Sequence, residues 1–305
     1  MKSILHFIIK IICILSPPTI VVKIYYPLFK VIAKINYNYA NTIVGVFRKK
    51  FSQYYEKENQ LIRFKTYNNL YIFLPNSDNH LIDRAVGSYH PTDFLIYLNL
   101  YLDRIKSACE IGTHLGELTL HIASKLNGGR FFAFEIDKNF HSIVSQSIYE
   151  NKFDNVTYEN CAIGNKGIIE LGNGYCDFET TMNNFPELNI AGSLNTDYFT
   201  KEPKDWDQGE IKNKEKVKVE RVDLYEYFLK KEFAPELFFM DIEGSEIYAI
   251  PMILKLAEHF KYKPIIIFEI HHYAYSSYHS KMLREELKKF GYKMTTPDQR
   301  HIFCE

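Results

Sequence analysis

Two stretches of this chain have residue types and spacings suited to chemistry. The first, Asp241-Ile-Glu243-Gly244-Ser-Glu246, follows the apolar run Leu237-Phe-Phe-Met240. Three carboxylates this close to the end of a buried strand repel one another and lose hydration, so an electrostatic or functional compensation is expected. Acidic capping of the next helix accounts for Glu243 and Glu246 but explains Asp241 poorly. A second apolar run, Ile265-Ile-Ile-Phe268, ends in Glu269-Ile-His271-His272, and neighbouring strand tips would bring these groups to Asp241. Carboxylates and imidazoles so gathered suit acid–base work.

The other stretch is Glu110-Ile-Gly112-Thr113-His114-Leu-Gly116. It follows a short apolar run and precedes a segment with apolar residues at Leu118, Ile122 and Leu126, which reads as strand, tight loop and helix. Glycines at such a turn admit positive φ and close approach by a ligand. About twenty residues on, the strand-like run 130–134 ends in Glu135-Ile136-Asp137. An acidic residue at that strand tip is placed to accept hydrogen bonds from vicinal ribose hydroxyls, so the two signals together indicate a nucleoside-containing cofactor. A dinucleotide loop wants a glycine two positions after Gly112. His114 stands there and would obstruct a pyrophosphate.

The elements that position these residues follow from periodicity and turn chemistry. Residues 61–64 and 70–74 flank Asn68-Asn69 as a hairpin. Residues 78–86 and 92–105 read as helices, with Tyr89-His90-Pro91 in the loop between them. Residues 137–151 form a helix, 155–159 a strand, and 160–164 a turn whose Cys161 and Ala162 are small enough to edge an adenine. After a strand at 166–171, residues 172–216 carry no regular pattern and suggest a lid or binding segment or a surface excursion. A strand at 217–223, a helix at 224–231, a helix at 278–290 and a terminal antiparallel pair formed by 292–294 and 301–304 complete the pattern.

A chain of 305 residues has room for one large α/β domain and a smaller appendage. Lysine plus arginine equal aspartate plus glutamate at 37 each, so bulk charge does not point to nucleic acid. Five cysteines without metal-like spacing read as reduced, buried thiols, in keeping with a cytoplasmic or cytosol-facing protein. Charge is unevenly distributed. Residues 1–55 contain no Asp or Glu but hold Lys2, Lys10, Lys23, Lys30, Lys34, Arg48, Lys49 and Lys50. The apolar run 4–15 is short for a membrane span and carries Lys10, and no cleavage-type site follows it. Residues 1–58 are therefore read as a basic, apolar helical extension. It would either lie on a membrane surface or pack against the remaining domain or a second subunit, as in a homodimer.

Taken in order, Glu-Ile-Gly-Thr-His-Leu-Gly, Phe-Glu-Ile-Asp, Asn-Val with Ala-Ile-Gly, Arg-Val-Asp-Leu, Met-Asp-Ile-Glu-Gly-Ser-Glu and Phe-Glu-Ile-His-His resemble the FkbM family of S-adenosylmethionine-dependent methyltransferases over residues 107–272. The Asp241–Glu246 block matches the family's D-x-E-G-x-E. The resemblance implies, for residues 59–305, a class I methyltransferase α/β fold: a Rossmann-like sheet of seven mostly parallel strands with the last antiparallel. It also implies S-adenosyl-L-methionine as cofactor and O-methylation of a glycan, glycolipid or sugar-containing metabolite. Glu110, Gly112, Thr113, His114, Gly116, Glu135, Ile136, Ala162 and Asp241 are the cofactor-binding candidates it carries over. Asp241 would orient or deprotonate the acceptor hydroxyl, with His271 as the alternative base. Glu243, Glu246 and Glu269 would order the acceptor or a divalent ion, although no metal is predicted. Thr113-His114 departs from the Ala-Asn common in the family's first loop. A sugar-nucleotide dehydrogenase or epimerase on a similar sheet, and an inactive membrane-tethered scaffold, are the rival readings.

Overall fold

A computed structural model describes the chain apart from residues 1–6, 8–10, 12–14, 37–38, 41–42, 44–46, 48–49, 52–53, 55–60, 76–80, 87–88, 127, 173–215, 243, 270–276 and 298–299. The expected boundary near residue 58 and the patternless segment 173–215 both fall outside the described residues. The chain divides into two units, Met1–Arg104 with Leu115–Asn127 and Ser142–Asn155, and Ile105–His114 with Gly128–His141 and Val156–Glu305.

In the first unit, helical turns at Pro18–Ile20 and a π-helical stretch at Val21–Tyr25 lead into α1 (Tyr26–Ile35). Proline at the start of each α-helical piece suits a position that needs no donor. Ala40, Ile43, Phe47 and Phe51, at helical spacing and in helical conformation, are fully buried. Phe29 meets Phe47 edge-on at 4.7 Å, and Tyr26 meets Phe51 and Phe64 at 6.0 and 5.5 Å. The hairpin is β1 (Leu61–Lys65) with β2 (Tyr71–Pro75), turned through Asn69 at φ 68°. Helices α2 (Leu81–Val86), α3 (Thr92–Leu102) and α4 (Glu117–Lys125) follow.

The second unit holds a seven-stranded sheet. Its strands are β3 (Ser107–Ile111), β4 (Arg130–Glu135), β5 (Val156–Asn160), β9 (Leu237–Met240), β10 (Ile265–Glu269), β11 (Met294–Thr295) and β12 (His301–Cys304), ordered β11-β12-β10-β9-β3-β4-β5. The five strands from β10 to β5 run parallel, and β12 is antiparallel to β10. Every residue of β3, β9 and β12 is buried, as expected of strands covered on both faces. Helix α5 (Lys138–Glu150) follows β4, with its residues from Ser142 in the first unit. Helices α6 (Leu224–Lys230), α7 (Glu246–Phe260) and α8 (Ser277–Lys289) complete the unit's helices. Phe134, Phe228, Phe238, Ile250, Ile253 and Phe268 are among its core residues.

This is the class I methyltransferase sheet that the resemblance implies. One local expectation differs. Residues 160–164 do not form a plain turn. Ala162–Ile163 is a short strand, β6, paired parallel to β8 (Lys216–Val222), which also pairs antiparallel to β7 (Gly167–Gly172). Ala162 is buried and pairs with Arg221 in this second sheet.

Candidate active site

The loop after β3 is shaped by what its backbone touches. Gly112 has φ +84°, and a Cβ built on it would lie 2.2 Å from the Asp241 carbonyl oxygen and 2.9 Å from Ile242 Cγ2. Glycine is required there for the dihedral and for the space. The Gly112 N–H donates to the Phe134 carbonyl at 2.9 Å, and the Asp241 N–H donates to the Ile111 carbonyl at 3.1 Å. The tips of β3, β4 and β9 are therefore laced together where the strand order reverses, which is where an open α/β sheet takes its ligand.

Glu135 holds the other side of the loop. Its Oε2 accepts from the N–H groups of Thr113 (3.0 Å) and His114 (2.8 Å) and from the Thr113 hydroxyl (3.2 Å), while Oε1 accepts from the Asp137 N–H (2.8 Å). Four donors match the capacity of one carboxylate. Burial raises the Glu135 pKa, and the hydrogen bonds from Asp137, His114 and Thr113 oppose that shift. The Thr113 hydroxyl is 2.7 Å from the Tyr158 hydroxyl, so Tyr158 can donate to Thr113 while Thr113 donates to Glu135. Burial, followed by the Glu135 charge, raises the Tyr158 pKa and keeps that proton in place. His141 stacks on Tyr158 at 4.3 Å.

His114 adopts left-handed φ (49°), and its ring packs on Phe140 at 4.4 Å. The side chain that would obstruct a pyrophosphate loop thus has a packing site of its own. Asn160 Nδ2 donates to the carbonyls of Glu135 (2.8 Å) and Ile136 (3.1 Å), fixing the segment after β4. Glu110 is buried at the end of β3. Gly116, at φ +85°, lies in the first unit, where an added Cβ would meet Val144 at 2.8 Å.

The acidic residues expected to surround Asp241 divide by task. Glu246, fully buried at the start of α7, reaches back to accept from the N–H groups of Ile242 and Gly244, both at 2.9 Å. It ties the turn that carries Asp241 to the first residue of the helix, while the N-cap, Ser245, makes no side-chain cap hydrogen bond. Glu269 is also buried, paired with the Arg300 guanidinium (Nε to Oε1 2.6 Å), and its Oε2 is 3.5 Å from His301 Nε2. His301 is its cross-strand partner in the β10–β12 register. Asp241 is half-buried at the β9 tip beside Gly112. Glu243 and His271 lie outside the described residues. Among the described residues no group of three or more His, Cys, Asp or Glu is placed to hold a metal.

Sequence reasoning missed a pocket in the first unit, lined by Arg84, Tyr89, His90, Glu117 and His121 together with apolar residues such as Ile72, Leu95 and Leu118. Arg84 and Glu117 form a buried ion pair, and the Arg84 guanidinium lies 3.7 Å from the centre of the Tyr89 ring. His121 Nε2 is 2.8 Å from Asn99 Oδ1. Burial, helped by the Lys125 charge, lowers the His121 pKa to about 4. Glu117 opens the helix after the glycine loop and is visible as such, but no local pattern links it to Arg84.

The methyltransferase FkbM domain family matches residues 110–294, more than half of the chain. No curated protein is matched. Solved structures with which the chain has similarity include an O-methyltransferase from Bacillus cereus in complex with S-adenosylhomocysteine (14% identity, 73% of this chain and 84% of that one, TM-score 0.39). They also include the O-methyltransferase TomG from Streptomyces achromogenes in complex with S-adenosylmethionine (13%, 70% and 78%, 0.37). A third is the human methyltransferase 10 domain containing protein (12%, 87% and 94%, 0.40). The site fits the cofactor of the matched family. The Gly112 turn has no room for a Cβ, the Thr113–His114 backbone is anchored to Glu135, and His114 stands where a dinucleotide loop needs glycine. On the match over residues 110–294 and the strand order that carries it, the chain belongs to the FkbM family and is an S-adenosylmethionine-dependent methyltransferase.

Proposed function

We propose that this enzyme methylates a hydroxyl oxygen of a glycan, glycolipid or sugar-containing metabolite, and that it works on the cytoplasmic side. The observation that carries the reading is the position of Asp241, a half-buried carboxylate at the β9 tip whose carbonyl touches the Gly112 turn. When bound, S-adenosylmethionine supplies an electrophilic methyl group on a sulfonium. The turn Gly112–His114 would underlie its methionine and ribose portions. Glu135 would take the ribose hydroxyls in exchange for part of its present donor set, with Ile136 and Ala162 toward the adenine.

An alcohol is a poor nucleophile, so the protein must align it and accept its proton as the new bond forms. Asp241 is assigned that proton. Glu246 keeps Asp241 in place by fixing the turn behind it, and Glu269 has its own partners in Arg300 and His301. Sugar hydroxyls suit such a site because carboxylates accept from them directly and in pairs. Buried free thiols at Cys109, Cys161 and Cys304 support the cytoplasmic placement.

The test is transfer of an isotopically labelled methyl group from S-adenosylmethionine to a panel of sugar-containing acceptors, with the product bond identified by NMR. A methoxyl carbon on a sugar is the expected product. Label found only on nitrogen or carbon, or no transfer to any hydroxyl acceptor, would overturn the reading.

A further inference from the structure

The helical segment from Pro18 to Ile35 has two apolar faces, and among the described residues one of them is buried and the other exposed. Val21, Phe29 and Ala33 are buried, and Tyr25 and Phe29 pack on Phe47 at 5.2 and 4.7 Å. The Tyr26 hydroxyl donates to the Lys65 carbonyl at 2.7 Å, anchoring the helix to β1. That face accounts for the packing a helix of a soluble domain needs.

The outward face has a different composition. Ile20, Ile24, Leu28, Val31 and Ile35 follow one another at spacings of three and four, the spacing of a single helical strip. They are 42, 59, 45, 54 and 81% exposed. Phe7, Ile11 and Leu15, each four residues from the next and in helical conformation, are 62, 40 and 77% exposed. Single exposed apolar residues are ordinary on a protein surface, but a strip of β-branched and leucine side chains running the length of a helix marks an interaction face.

Charge selects the occupant. Lys23 and Lys34 are exposed on the same helical segment and Lys30 is partly buried beside Tyr26, while no Asp or Glu occurs among residues 1–55. Burial and the neighbouring charges of Lys65 and Lys34 lower the Lys30 pKa, as happens in a cluster of cations. A second copy of the same strip would bring lysines against lysines, whereas an anionic lipid surface complements them. No helix among the described residues is long and apolar enough to cross a membrane, and a helix of this composition lies in the plane of the interface instead.

We infer that residues 18–35 form an interfacial helix. Its Ile20-Ile24-Leu28-Val31-Ile35 strip enters the headgroup boundary of an anionic bilayer while Lys23 and Lys34 contact lipid phosphates. This binding does not depend on the methyl-transfer reading, so the two are tested separately.

The experiment measures partitioning of the full chain onto phosphatidylcholine vesicles with and without phosphatidylserine, by sedimentation. Three proteins are compared: the unaltered chain, the pair Lys23→Gln with Lys34→Gln, and the triple Ile24→Asn, Leu28→Asn, Val31→Asn. All these positions face outward, so circular dichroism should be unchanged. The unaltered chain should bind only when phosphatidylserine is present, and added salt should weaken binding. Each lysine contributes about fivefold at such a surface, so the lysine pair should lose about 25-fold and the triple should lose measurable binding. The inference falls if the unaltered chain ignores phosphatidylserine vesicles at low salt, or if the triple binds as well as it does. It falls equally if ultracentrifugation shows a dimer that the triple disperses while vesicles are not bound, which would assign the strip to a second copy.

Discussion

Replacing Gly112 by alanine should damage the loop far more than the same change at another glycine of matching dihedral. The new Cβ would lie 2.2 Å from the Asp241 carbonyl oxygen, and that oxygen would have to retreat by more than about 1 Å to reach ordinary contact. Backbone cannot yield as a flexible side-chain end would. A left-handed dihedral with a Cβ costs about 1–2 kcal/mol, and forcing backbone apart in a packed site costs about 1–3 kcal/mol more. The expected loss is therefore about 2–5 kcal/mol, a large part of a typical stability of about 5–15 kcal/mol. Gly128 provides the control, because it has φ +77° with nothing within 4 Å of an added Cβ. Gly128→Ala should show only the dihedral cost of about 1–2 kcal/mol. Urea unfolding of both variants gives the comparison, and calorimetry with S-adenosylmethionine should show weakened affinity only for Gly112→Ala. Equal destabilisation of the two, or unaltered cofactor affinity in Gly112→Ala, would refute the steric argument.

Three further outcomes follow from the site and its surroundings. Glu246→Ala should destabilise by about 2–4 kcal/mol, because two backbone N–H groups lose a charged acceptor inside the protein; denaturant midpoints measure it, and a loss under ~0.5 kcal/mol would contradict its role in holding the turn. His121 should make the protein acid-sensitive: its pKa falls from 6.5 to about 4 on folding, so the unfolded chain binds the extra proton first. Its penalty is absent above pH 6.5 and grows as pH falls to about 4, reaching about 3 kcal/mol. His121→Gln should flatten that limb of the stability–pH curve. Glu135→Gln should weaken S-adenosylmethionine binding by about tenfold or more, since one carboxylate oxygen becomes an amide nitrogen that cannot accept, so the side chain can no longer serve both the Thr113 and His114 N–H groups and the Asp137 N–H; calorimetry reads the change.

Much of the fold was legible because its signals are local. Apolar runs ending in acidic residues marked β3, β4, β9 and β10, and the glycine spacing marked the loop between β3 and α4. Side-chain partnerships were less so, since they depend on register and return of the chain. Glu269 was legible as a strand-tip carboxylate, but its partners were not, because the antiparallel return of β12 is what sets His301 opposite it and brings Arg300 to its carboxylate. Glu246 belonged to an acidic cluster in the sequence, and only its backward reach to Ile242 and Gly244 assigns its task. Arg84 and Glu117 lie in separate helices with no pattern in common. The amino-terminal segment read equally as a packing helix or a surface one, since apolar spacing in the sequence does not separate the buried Phe29 and Ala33 from the exposed Ile24, Leu28 and Val31.

The most direct test of the central claim is methyl transfer by Asp241→Asn under single-turnover conditions, alongside calorimetric affinity for S-adenosylmethionine. A general base of this kind contributes about 10²–10⁴-fold. The account predicts a rate lower by that factor, with cofactor affinity within about threefold of the unaltered enzyme, a change under ~1 kcal/mol. Full turnover at unchanged affinity would contradict it.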